Sequence, residues 1–162
     1  MADNTQQGCL GAILRIFGIG PSRRAIANPT YRRKDYFFSK AEASFFGVLN
    51  LAVGDEFFIF AKVRLADLLF VPPRTAGWQG AFNRIQSKHV DFLLCQKNGV
   101  RPCLVIELND GTHEEPDRRD RDAFLVKALS GAGLSLLQVK AANSYNVNLL
   151  KSQIEGTIRA GE

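Results

Sequence analysis

The chain has 162 residues, of which 46% are hydrophobic, so it can bury the core of one domain of ordinary size. Its three cysteines, Cys9, Cys95 and Cys103, are too few for a disulfide framework; we interpret them as small apolar residues and expect a cytoplasmic protein. Residues 1–41 hold seven basic and two acidic residues, whereas residues 42–162 hold 14 of each, so the net charge of +5 lies before residue 42. Basicity is therefore no evidence that the body of the protein binds nucleic acid.

Residues 1–34 form a predicted basic N-terminal arm, and residues 35–162 form the predicted domain. Within the arm, residues 10–19 are apolar but span about half the length of a membrane-spanning helix, and they lack the features of a signal peptide. We expect this segment to pack on the domain; a helix that binds a partner or a membrane surface is the alternative.

The domain is predicted to begin with a helix over residues 40–51. Ser39 and Glu42 have the spacing of a capping box, in which each side chain bonds the backbone of the other residue. Glu42 therefore has two open roles. It either caps the helix, which we favour, or serves as a third acidic group directed at the hairpin formed by the second and third strands.

A first strand is predicted over residues 57–63, followed by a short helical or irregular stretch and by a connection over residues 74–87. The connection is rich in aromatic and donor side chains, among them Trp78 and Arg84, which suit contacts with phosphates and bases. A surface loop anchored by Trp78 is the favoured interpretation.

The next two strands, over residues 88–95 and 100–109, are predicted to form a hairpin at Asn98-Gly99. Each apolar run is interrupted by one carboxylate, Asp91 in the first strand and Glu107 in the second. Buried carboxylates persist only when they are paired, hydrogen-bonded or bound to a cation. The two residues are therefore a candidate site for a divalent metal.

The hairpin must meet one condition for this site to exist. Opposed residues of an antiparallel pair share a face, so Asp91 and Glu107 meet only if paired residue numbers sum to an even number. A two-residue turn at Asn98-Gly99 gives an odd sum, whereas a three-residue turn that begins at Lys97 gives an even one. The metal site requires the three-residue turn or a compensating bulge.

Past the hairpin, the pattern predicts a helix over residues 118–130, a strand over 134–139 and a helix over 145–159. The predicted order is αβββαβα, an α/β fold with a strand-helix-strand crossover. The first of these helices carries alternating charges, which serve either to bind phosphate or, as we favour, to form ion pairs on a solvated surface. The basic members are Arg118, Arg119 and Arg121, and the acidic members are Asp117, Asp120 and Asp122.

These motifs together resemble a known family. The motifs are Ser39-x-x-Glu42, the strand His89-Val90-Asp91-Phe92, the strand at residues 105–110, His113, and Arg118 with Asp122. Over about residues 35–140 the combination resembles a bacterial domain-of-unknown-function family (the 2726 type), a branch of the PD-(D/E)XK restriction-endonuclease-like superfamily near the very-short-patch-repair endonucleases. The resemblance implies an αβββαβ core with a mixed central sheet flanked by helices. It also implies phosphodiester hydrolysis with Mg²⁺, or alternatively Mn²⁺, with DNA as the favoured partner.

The resemblance also implies roles for individual residues. Asp91 and Glu107 would be metal ligands, with the backbone carbonyl of Leu108 as a third ligand. Glu42, the acid of the first helix, would assist at the metal. Members of the PD-(D/E)XK superfamily usually have a lysine two residues after the glutamate that corresponds to Glu107. In this chain that position is Asn109.

The candidates for the missing cation are Lys88 and His113, and His89 shares a strand face with Asp91. For each histidine, a purely structural role is equally open. Arg84, Arg118, Arg119 and Arg121 are the candidates for contacts with nucleic acid.

The expected function is thus Mg²⁺-dependent cleavage of DNA. The alternative is a catalytically inactive module of the same fold that binds nucleic acid or a partner, which Asn109 and the neutral body favour. A hydrolase that acts on another phosphoester is a third possibility.

Overall fold

The computed structural model describes residues 31–109 and 116–161, without the side chains of residues 116–119. Most of the predicted arm, Cys9 and His113 lie outside the described residues. A compact unit begins at Tyr36. Its elements, in chain order, are α1 (Lys40–Val53), β1 (Phe57–Arg64), α2 (Leu65–Leu68), α3 (Trp78–Gln86), β2 (His89–Gln96), β3 (Arg101–Asn109), α4 (Pro116–Gly131), β4 (Ser135–Lys140) and α5 (Val147–Gly161).

The four strands form one mixed sheet in the order β1-β2-β3-β4. The β1–β2 and β2–β3 pairs are antiparallel, whereas β3 and β4 run parallel and are joined through α4. This arrangement confirms the predicted α/β class, the mixed sheet and the crossover after the hairpin. The helices α2 and α3 are additional elements between β1 and β2.

Helices cover both faces of the sheet. On the first face, Phe92 and Leu104 pack against Phe45 of α1 and Ile154 of α5. On the second face, Leu93 and Val105 pack against α2, α3 and α4 through Leu65, Ile85, Leu125 and Leu129. The sheet is therefore buried between two helical layers, and its polar side chains can reach solvent only at its edges and ends.

The prediction of a loop over residues 74–87 is wrong, because α3 occupies most of it. Gly77 and Gly80 suggested a loop, but Trp78, Phe82 and Ile85 recur at helical spacing on one side of the segment. The Trp78 and Phe82 rings stack with centroids 5.0 Å apart, and Ile85 is buried in the second cluster. Packing of this face outweighs the low helix propensity of Gly80.

The hairpin turn also differs from both predicted forms. Gln96 pairs with Arg101, so the loop has four residues, and Gly99 and Val100 both have positive φ, at 76° and 52°. This pairing has an odd sum of residue numbers. A bulge next to Leu94 and Cys95 leaves Cys103 without a partner and restores the even register, in which Phe92 pairs with Ile106. The compensating bulge is the alternative that the metal-site hypothesis allowed.

The two described cysteines are free; Cys95 is buried and Cys103 is half-buried. Both pack within the apolar clusters, as predicted. Among the helices within the described residues, none has the length and apolar character needed to span a membrane.

Candidate functional site

Strands β1 and β2 lose their regular alternation at one position. Ala61 and Phe92 pair and belong to the first face, whereas the next pair, Val63 and Val90, belongs to the second face. Residues two apart in a regular strand share a face, so the residues between these pairs interrupt the pattern. They are Lys62 and Asp91, and Lys62 has a positive φ of 53°.

The register places Asp91 opposite Glu107, one step beyond the pair of Phe92 and Ile106. The Leu108 amide donates a hydrogen bond of 2.9 Å to Asp91 Oδ2. A side-chain carboxylate thus accepts a bond that a backbone carbonyl accepts in a regular ladder. Asp91, Glu107 and the Leu108 backbone therefore meet where the β2–β3 ladder ends. This is the juxtaposition that the metal-site hypothesis requires.

Glu107 is the one buried charged residue in the part of the chain that the structure describes, with 6% of its surface exposed. Its Oε1 has no hydrogen-bond partner, and its Oε2 lies 3.7 Å from Arg121 Nη2. Burial, reinforced by the charge of Asp91, raises the pKa of Glu107 from 4.5 to about 7, although Arg121 opposes the shift. The ionised carboxylate is thus unfavourable here without a further cation.

These properties fit a Mg²⁺ ion better than they fit a structural ion pair. Mg²⁺ commonly takes only one or two carboxylates and keeps several waters, so two opposed carboxylates with one unpartnered oxygen suit it. Among the described residues, no three His, Cys, Asp or Glu side chains form a metal-binding group. Asp91 and Glu107 are thus the two side-chain carboxylates that the site offers to an ion.

A cavity of about 550 Å³ opens beside Asp91. Besides Asp91, its charged and ionisable lining residues are Lys62, Lys88, His89 and Arg121. Lys88 reaches the cavity from the position directly before β2. Three cationic side chains surround one carboxylate in the wall, so the cavity favours an anion such as a phosphate.

Glu42 has the capping role that we favoured, and its other oxygen contacts a lysine of β1. Ser39 and Glu42 form the predicted capping box, with the Ser39 amide donating to Glu42 Oε2 at 2.7 Å. The other oxygen, Oε1, accepts from Lys62 Nζ at 2.5 Å. Burial alone would raise the pKa of Glu42, but the hydrogen bonds from Lys62 and Ser39 outweigh it and lower the pKa.

Comparison with known proteins identifies the family. The family model described as a protein of unknown function (DUF2726) matches residues 34–158. The chain belongs to the DUF2726 family. No match was found among curated proteins or among solved structures. The family part of the predicted resemblance is thereby confirmed.

Not every predicted residue of the DUF2726 domain lies at this cavity. Arg84 lies over the ring of Phe124, with its guanidinium carbon 4.3 Å from the ring centroid, and lines a separate apolar cavity of about 540 Å³. Asn109 ends β3 beside Lys140 and is half-buried. His113 and the side chains of Arg118 and Arg119 lie outside the described residues.

Lys62 was not among the predicted site residues. The predicted cations, Lys88 and His113, flank the hairpin strands, whereas Lys62 lies on β1, 29 residues before Asp91. A usable signal was present, because Lys62 interrupts the apolar run FFIFAKV as Asp91 and Glu107 interrupt theirs. A charged residue in each of three neighbouring strands indicates one shared polar site.

Proposed function

We propose that this DUF2726 domain is a metal-dependent nuclease of the PD-(D/E)XK restriction-endonuclease-like superfamily, hydrolysing phosphodiester bonds in DNA. The observation that carries the proposal is the opposed pair of Asp91 and Glu107, with Glu107 buried and one of its oxygens unpartnered. The αβββαβ order of the core elements and the basic cavity support it. The superfamily placement and the DNA substrate are part of the proposal.

The carboxylate pair is the proposed ion site. Asp91, Glu107 and the Leu108 carbonyl would hold Mg²⁺ or Mn²⁺. A bound ion of this kind makes a water more acidic and neutralises charge that develops on the phosphate. A cation also removes the mutual repulsion of the two carboxylates, which is unfavourable in a buried position.

Other residues of the chain would position the substrate. Lys88 and Arg121 line the cavity beside Asp91 and would bind the oxygens of a phosphodiester. His89 is exposed at the same cavity and supplies an imidazole that can transfer a proton.

A cleavage assay tests the proposal. Single-stranded DNA, duplex DNA and RNA are incubated with Mg²⁺ or Mn²⁺ and with wild type, Asp91→Asn or Glu107→Gln. We expect wild type to cleave, and each substitution to slow cleavage about 100- to 1,000-fold, the range for losing one group that stabilises transition-state charge. Glu155→Gln, on a solvent-facing part of α5, is the matched control. Equal cleavage by wild type and both site variants would remove the proposal.

A second candidate function has one observation in its favour. The position that usually holds lysine is the uncharged Asn109, which suits a module that binds nucleic acid through the basic cavity without cleaving it. Such a module would bind DNA equally well with and without the metal. Binding without metal dependence and without cleavage would therefore favour it over the nuclease.

A further inference from the structure

The geometry points to Lys62 as the cation that contacts the reacting phosphate, in the role that Asn109 cannot fill. This inference rests on the proposed nuclease function and assigns a catalytic residue to it. Lys62 lies on β1, so the cation would come from the strand on the other side of Asp91 rather than from the strand that carries Glu107. The three neighbouring strands would then contribute one charged group each.

The backbone of β1 supports this role. The flanking pairs, Ala61 with Phe92 and Val63 with Val90, put Lys62 opposite Asp91. Lys62 has a φ of 53°, a left-handed conformation that costs free energy for any residue with a β-carbon other than Asn or Asp. Such strain persists only where the surrounding structure imposes it, and it is concentrated at functional sites. Here it coincides with the change of face beside Asp91.

The side chain of Lys62 is also held in place. Its Nζ donates to Glu42 Oε1, and the other oxygen of Glu42 is fixed by the Ser39 amide at the start of α1. Lys62 lines the same cavity as Asp91 and is half-buried. An ammonium group that is anchored by one carboxylate and faces a cavity keeps two further N–H donors for a phosphate.

Lys88 is the rival cation, and its surroundings differ. Its ammonium lies 5.4 Å from the centroid of the Phe124 ring of α4, which also contacts Arg84. The Lys62 ammonium lies 6.0 Å from the centroid of the Phe37 ring and is in addition bonded to Glu42. Lys88 precedes β2 and has no place in the ladder beside Asp91. We therefore assign substrate binding to Lys88 and stabilisation of the reacting phosphate to Lys62.

The test compares Lys62→Met with Glu42→Gln and with Lys127→Met, an exposed lysine of α4. We expect Lys62→Met to lower kcat about 100- to 1,000-fold. Its Mg²⁺ affinity, measured by calorimetry, should stay within about threefold of wild type. Glu42→Gln leaves the ammonium in the cavity and should lower kcat by less than about tenfold. Lys127→Met should match wild type.

Two further variants guard against a failure to fold. Lys62→Asn suits a positive φ, so it should fold at least as well as wild type and still lose kcat. Lys62→Arg keeps the charge and should recover part of it. The inference is overturned if Lys62→Asn keeps kcat within about threefold of wild type, or if Lys62→Met and Glu42→Gln lose it equally, as a purely structural ion pair requires. Wild type that neither binds Mg²⁺ nor cleaves would instead overturn the proposed function and this inference with it.

Discussion

Strands β2 and β3 differ sharply between the middle of the hairpin and the end that reaches the cavity. In the middle, Leu94 pairs with Leu104, both fully buried, and alternating side chains fill the cores on the two faces. At the end, Asp91 faces Glu107, the alternation of faces fails, and a buried oxygen has no partner. The same two strands thus hold fully buried apolar pairs and a buried carboxylate oxygen without a hydrogen-bond partner.

The residues that stabilise the fold and the residues proposed for chemistry therefore occupy different parts of the same two strands. Apolar pairs in the middle contribute free energy to folding, whereas the charged end raises the energy of the folded state unless a cation binds. A residue that lowers the stability of the fold often has a functional role. The two regions can therefore be broken independently, and each break has a distinct readout.

Leu94→Ala should have the largest effect on folding. It removes a fully buried side chain from the centre of the first core, and such losses cost about 3–5 kcal/mol. The free energy of unfolding is measured in urea. Leu51→Ala, at a leucine of α1 that is 74% exposed, is the matched control and should change it by less than about 0.5 kcal/mol. Similar losses in the two variants would contradict the assignment of the core.

Glu107→Gln should raise the free energy of unfolding, and by less than Leu94→Ala lowers it. Because the folded-state pKa of Glu107 is about 7 and its ordinary value is 4.5, ionisation of this group opposes folding. Below pH 4.5 the carboxyl is neutral in both states and the substitution should have little effect. Above pH 7 the full penalty is present, so the variant should be more stable than wild type by about 3 kcal/mol without metal.

Unfolding in urea at pH 4, 6 and 8, in the presence of a chelator, checks this prediction. Glu155→Gln removes a charge from a more exposed part of α5, where its partner Lys151 lies 3.9 Å away, and should shift stability by less than about 1 kcal/mol. A Glu107→Gln variant that is equally stable or less stable than wild type at pH 8 would show that the carboxylate is satisfied within the fold. The candidate metal site would then lose its physical basis.

The sequence predicts the fold well where the pattern is local. Capping at Ser39 and the apolar runs around Asp91 and Glu107 identify α1 and the hairpin to within one or two residues. The helix at Trp78 was missed because its glycines suggest a loop, and only packing against the second face reveals why it forms. Tertiary contacts override such weak local preferences.

The site was predicted in part. The sequence set an even register as the condition for Asp91 to meet Glu107. The bulge at Cys103 that satisfies this condition depends on the turn, where Val100 adopts a positive φ that its side chain disfavours. The cation could not be found by position along the chain, because Lys62 is brought to Asp91 only by the pairing of β1 with β2. Which strands lie side by side is decided by the pairing in the sheet, and the distance along the sequence does not reveal it.

Calorimetric titration of Mg²⁺ at pH 8 measures whether Asp91 and Glu107 together bind a divalent ion. We expect binding to one site in wild type. Asp91→Asn and Glu107→Gln should stay folded and show no measurable binding. Absence of binding of both Mg²⁺ and Mn²⁺ in wild type would contradict this expectation. So would unchanged binding in either variant.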